Sequence, residues 1–285
     1  MIRYLLRRFP PHTVGLATVL TFASLQSLYL RAVPSPELDL LAVAATTATF
    51  VLLFVQLRLV DDIDDFHRDA ATDRSPAAGR RSHLQAGLVA TIGLTVLLTM
   101  RHWPALLTAL AATAAMLLAP RVVNHPRLPG HRILLPIVYE GAPLLIMVYA
   151  YAGWRTYADS AASPVLVFGV TGLYWTAYEF WKFSRKLDDA GYRPYGLGPR
   201  GRLVALAVLL AVAECCVALI YASHSLPPIV VGYAAAVPLG FGAWIAAWIG
   251  TARSGSRPGS RPRPAWAGLS FAFVLQVGLL ATAGA

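Results

Sequence analysis

The sequence predicts an all-α, polytopic membrane protein of about nine transmembrane helices. Three observations carry that reading. The chain is 57% hydrophobic and only 13% charged, with a mean hydropathy of +0.57, too few polar residues to cover a water-soluble surface. Apolar runs recur from end to end. The basic residues alternate between the connections in step with those runs.

The predicted spans lie at about 12–31, 37–58, 84–100, 103–120, 133–153, 164–182, 202–222, 227–250 and 265–284. Each is near the ~20 residues that a helix needs to cross the hydrocarbon layer. The third and fourth are short and separated only by Arg101, His102 and Trp103, which predicts a tight helical hairpin. The start, MIRYLLRRFPPHTVG, is basic and then apolar but lacks a small-residue cleavage site, so a retained first helix is expected. No repeat or separate domain is evident, so residues 1–285 read as one transmembrane domain. The long, charged connections follow the second and sixth spans, giving motif loops at about 59–83 and 182–201.

Of the 24 Lys and Arg residues, all but Arg31, Arg101 and Arg155 fall on one side of this arrangement. The basic side is the cytoplasmic one, so the N-terminus is expected inside and the C-terminus outside, in a bacterial cell membrane. The net charge of +10 is explained by topology and anionic lipid, with no nucleic-acid partner required. RSGSRPGSRPRP (253–264) then reads as a topology-setting loop. Cys215 and Cys216, adjacent in one span, suggest neither a metal pair nor a disulfide framework.

Against this background, VDDIDDFHRDAATDR (60–74) gathers six aspartates. Asp61, Asp65, Asp69 and Asp73 are four residues apart, so on a helix they form one drifting stripe, flanked by Asp62 and Asp64. Like charges at that spacing repel, so a cation should neutralise them. A solvated acidic loop rarely keeps such spacing. A calcium loop of the EF-hand kind uses alternate positions, a central Gly and a final Glu, which are missing. A carboxylate site for Mg²⁺, completed by waters and substrate phosphates, fits best.

Asp61, Asp62, Asp65 and Asp69 resemble the N-D-x-x-D-x-x-x-D motif of the UbiA-type intramembrane prenyltransferases, with Asp61 where that family usually has Asn. FVQLRLV before it and D-R-S-P (73–76) after it are similar too. The resemblance implies nine helices bundled around a central cavity and active-site motifs facing the cytoplasm. It also implies a prenyl diphosphate bound through Mg²⁺, loss of diphosphate, and transfer of the allylic carbon to an acceptor.

The end of the sixth span, YEFWKFSRKLDDAGYRPYGLG (178–198), is where that family carries a second aspartate motif. Here Glu179 can take its first position, but Phe183 cannot bind a metal. Instead Glu179, Lys182, Lys186 and Asp189 share one helical face, with Arg185 beside it. Such a mixed face suits a diphosphate, since Lys offers a point charge and Arg two parallel hydrogen bonds. The pattern resembles an atypical branch with E-x5-R-K followed by a G-Y-x-x-Y-like stretch, matched by Glu179, Arg185, Lys186, Gly191, Tyr192 and Tyr195. Together the two regions are expected to form a diphosphate clamp. Asp61, Asp62, Asp65 and Asp69 hold Mg²⁺, with Glu179 and Asp189 as ligands of any second ion. Arg58, Lys182, Arg185, Lys186, Tyr192 and Tyr195 contact the diphosphate.

Ionising an allylic diphosphate leaves a carbocation that aromatic faces stabilise; Tyr139, Tyr174, Trp175, Tyr178 and Trp181 are available for that role. Glu140 and Glu214 lie inside predicted spans, where ionisable residues are costly and default to function. Glu140 is the stronger catalytic candidate, as a general base or an orienter of an acceptor hydroxyl. The acceptor is expected to be aromatic or a lipid, and membrane lipids surround the chain. A terpene cyclase of the same superfamily, working without an acceptor, is the alternative. A transporter or lipid-binding protein is a remote one, since no inverted repeat is present.

Overall fold

The computed structural model describes residues 14–32, 39–64, 66, 81–123, 131–158, 161–185, 199–253 and 274–281. Among the described residues the chain is all-helical, with nine helices and no strand. They are α1 (Leu16–Ala32), α2 (Leu40–Asp64), α3 (Arg81–Thr99), α4 (Trp103–Val123), α5 (His131–Trp154), α6 (Pro164–Arg185), α7 (Pro199–Ala222), α8 (Pro228–Arg253) and α9 (274–281). Four of them, α2, α3, α7 and α8, are long and apolar enough to cross a membrane. Leu40, Leu41, Val89, Leu97, Phe168 and Leu239 are exposed apolar side chains on their own helices.

Local chemistry sets several helix starts. The Asp39 carboxylate accepts hydrogen bonds from the Leu41 and Ala42 amides at 2.9 and 3.2 Å, capping α2. Ser163 does the same for the Leu166 amide at 3.2 Å, and Pro164 occupies the first helical position, where no amide hydrogen is needed. The expected hairpin is present: α3 ends at Thr99 and α4 begins at Trp103. After α7, His224 takes a left-handed φ of 50°, which closes the helix before Pro227. Hydroxyls within the apolar helices are satisfied by their own backbone; Thr46, Thr99 and Thr108 each donate to the carbonyl four residues back.

The chain forms two compact units, residues 1–26 with 35–161 and residues 27–34 with 162–285. In the first, α2 packs against α3, α4 and α5, while α4 packs on α5 and on α3. Phe22 of α1 meets Phe50 of α2 at 5.1 Å between ring centroids. In the second, α7 packs against both α6 and α8. There the sequence G-V-T-G (169–172) brings α6 close to α7. A methyl added at Gly172 would lie 2.5 Å from Cys216 Sγ, and one at Gly169 would lie 2.8 Å from the Cys216 carbonyl oxygen. Small residues at a helix crossing allow this approach, and Cys216 is a packing residue within it.

Candidate functional site

The last turns of α2 read Q-L-R-L-V-D-D-I-D (56–64). Helical pitch places residues three and four apart side by side, so Arg58 reaches both Asp61 and Asp62. Its Nη1 lies 2.7 Å from Asp61 Oδ2, and its Nη2 lies 2.7 Å from Asp62 Oδ1. The side chains are graded in exposure: Asp61 52%, Arg58 38% and Asp62 5%. One guanidinium thus ties a surface carboxylate to a buried one.

This pairing also accounts for the length of α2. The sequence suggested a helix to about residue 58 followed by a motif loop, whereas the helix runs through Asp64. Carboxylates near a helix C-terminus meet the negative end of its dipole, and Arg58 offsets that repulsion from within. Asp65 and Asp69, with Asp73, lie outside the described residues.

Six residues before Asp62, Gln56 is fully buried and joins three helices. Its Nε2 donates to Thr95 Oγ1 of α3 at 2.9 Å, and Thr113 Oγ1 of α4 donates to its Oε1 at 2.8 Å. Sequence reasoning missed this network; its only signal was one Gln between Val55 and Leu57 in an apolar run.

On α6, Glu179 is 1% exposed and its Oε2 lies 3.5 Å from Lys182 Nζ. Trp175, Tyr178, Glu179 and Lys182 recur at helical spacing and share one stripe about 100° wide. Two half-buried aromatic rings therefore lead up to the charged pair. Tyr178 stands 5.8 Å from Trp181, and Tyr174 is fully buried. Arg185 is the last residue of the helix. Lys186, Asp189, Gly191, Tyr192 and Tyr195 lie outside the described residues, as do the side chains of Arg185 and Tyr139. The aspartate group belongs to the first unit and the Glu179–Lys182 pair to the second.

No family model matches the chain, and no curated protein or solved structure matches it either. The site is therefore judged on its own donors. Among the described residues no group of three His, Cys, Asp or Glu side chains stands together as a metal-ligand set. The donors that Asp61 and Asp62 offer are hard carboxylate oxygens at one helix end, the ligand type that suits Mg²⁺ in the company of waters and phosphate.

Glu140 is buried in α5 of the first unit. Gly153 backs onto Thr46, a methyl there lying 3.2 Å from Thr46 Cβ, and Tyr149 lies beside Thr49. These two contacts make α2 and α5 antiparallel. The structure thus joins Arg58, Asp61 and Asp62. Glu214 of α7 has Oε1 buried with no hydrogen-bond partner among the described residues.

Proposed function

We propose that this chain is a Mg²⁺-dependent intramembrane prenyltransferase of the UbiA type, which ionises an isoprenyl diphosphate and transfers the prenyl group to an acceptor. The observation that carries the reading is the carboxylate pair of Asp61 and Asp62, ordered by Arg58 at the end of a 25-residue apolar helix. A site built at the end of a helix long enough to cross a membrane suits a substrate with a charged head and a hydrocarbon tail.

In this reading Asp61 and Asp62, continued by Asp65 and Asp69, hold the metal, which when bound supplies positive charge to the departing diphosphate. Lys182, Arg185 and Lys186 bind and orient the diphosphate oxygens, with Tyr192 and Tyr195 as hydroxyl donors. The ammonium against Glu179 supports a phosphate-binding role for this face over a second metal site. Trp175 and Tyr178, on the same stripe as Lys182, offer π faces to the allylic cation. Nine spans, an inside N-terminus and a cytoplasmic active site complete the proposal.

Purified protein in detergent, incubated with geranyl, farnesyl or geranylgeranyl diphosphate, tests it. Mg²⁺ and an aromatic acceptor are each supplied or withheld, and both released diphosphate and organic products are followed. Turnover that needs Mg²⁺, acceptor and Asp62 supports the prenyltransferase. A cyclic product without acceptor supports the terpene cyclase, and no Mg²⁺-dependent release under any condition sinks both.

A further inference from the structure

We propose that Arg58 is an exchangeable counter-cation: it occupies the metal-binding oxygens of Asp61 and Asp62 until a divalent ion displaces it, and is then free to grip the diphosphate. This rests on the reading of Asp61 and Asp62 as metal ligands.

The charge balance requires some cation at this helix end. Asp62 is buried, and a buried carboxylate without a counter-charge is strongly unfavourable. The Arg58 guanidinium, 2.7 Å from Asp62 Oδ1, supplies counter-charge to it.

The oxygens that a metal needs are nevertheless engaged: Arg58 already holds Asp61 Oδ2 and Asp62 Oδ1, both at 2.7 Å. A guanidinium does not deprotonate in proteins, so it cannot yield by losing its charge. It yields by moving. Its side chain is 38% exposed and can swing toward water, where its planar fork matches phosphate oxygens bidentately. Loading the carboxylates and releasing Arg58 for the diphosphate then become one event, which orders the two binding steps. The buried end at Asp62 and the exposed end at Asp61 give the incoming ion a route, since Asp61 can change partners first.

The test measures Mn²⁺ binding by electron paramagnetic resonance, with no substrate and no turnover, on the full chain in detergent. Wild type, R58Q, R58K and D62N are compared, together with thermal melting with and without Mg²⁺. R58Q is expected to bind Mn²⁺ about tenfold more tightly than wild type, because a competing charge-assisted pair is gone. Its metal-free melting point should fall and be restored by Mg²⁺, while inorganic pyrophosphate should bind the Mg²⁺-loaded variant more weakly. R58K keeps the charge but loses the fork; it should lie between the two, and it carries the comparison if R58Q does not fold. Mn²⁺ affinity equal to or below that of wild type in these variants, with binding lost in D62N, overturns the exchange and leaves the metal reading standing. No Mn²⁺ binding by wild type, or binding that survives D62N, overturns both.

Discussion

The Arg58 guanidinium holds the buried carboxylate of Asp62 at 2.7 Å and extends outward to Asp61, which is half exposed. The two ion pairs share a cation but differ in worth, because water screens only one of them.

Arg58→Ala should therefore destabilise the metal-free protein by about 2–4 kcal/mol, since it removes the 2.7 Å ion pair to a buried carboxylate. Asp61→Ala should cost only about 0–1 kcal/mol, the usual range for an exposed pair. Thermal or denaturant unfolding in detergent measures both, and equal losses would contradict the asymmetry.

Glu140→Gln retains the shape of a buried side chain and removes its charge. If Glu140 serves as base or orienter, turnover of a prenyl diphosphate should fall by about tenfold or more, with little change in melting point. Full product formation by this variant would remove Glu140 from the mechanism.

The α6–α7 crossing separates two kinds of crowding. Gly169→Ala drives a methyl against the Cys216 backbone, so it should cost about 1–3 kcal/mol whatever side chain stands at 216. Gly172→Ala meets only Cys216 Sγ, and Cys216→Ala should restore most of its loss. A double-mutant cycle on melting distinguishes them.

Gln56→Leu breaks bonds to Thr95 and Thr113 and should cost about 1–2 kcal/mol. Thr113→Val should cost at least as much in the same melting assay, because it leaves the buried Gln56 Oε1 without its donor.

Tyr157, in the connection after α5, donates its hydroxyl to Gln26 Oε1. Burial, and then the neighbouring Tyr149, push its phenol above the ordinary value. A raised folded value means stability that is complete below the unfolded phenol pKa of about 10 and is lost as pH rises beyond it. Above that pH wild type should lose stability more steeply than Tyr157→Phe; parallel pH–stability curves would count against the assignment.

Much of the helical order was legible in the sequence. Apolar runs are local, and burying them in lipid or protein is the only way to satisfy them, so the hairpin at 101–103 and the order of the helices could be read directly. The Asp39 cap and the prolines opening α6, α7 and α8 are equally local. The charged stretch that holds Arg58, Asp61 and Asp62 was legible in the sequence. That Arg58 holds both carboxylates was not, because charged residues at the end of an apolar run look alike whether a loop or a further helical turn carries them.

What only the tertiary structure decided are the relations between helices. Gln56 joins Thr95 and Thr113 across 39 and 57 residues, and Gly169 and Gly172 gain their meaning from Cys216 on the next helix. Hydrophobicity adds up along a chain, so the sequence by itself determines which segments become apolar helices. A buried hydrogen bond or a close crossing depends on which faces meet and how near they come, and that is settled only when the helices pack.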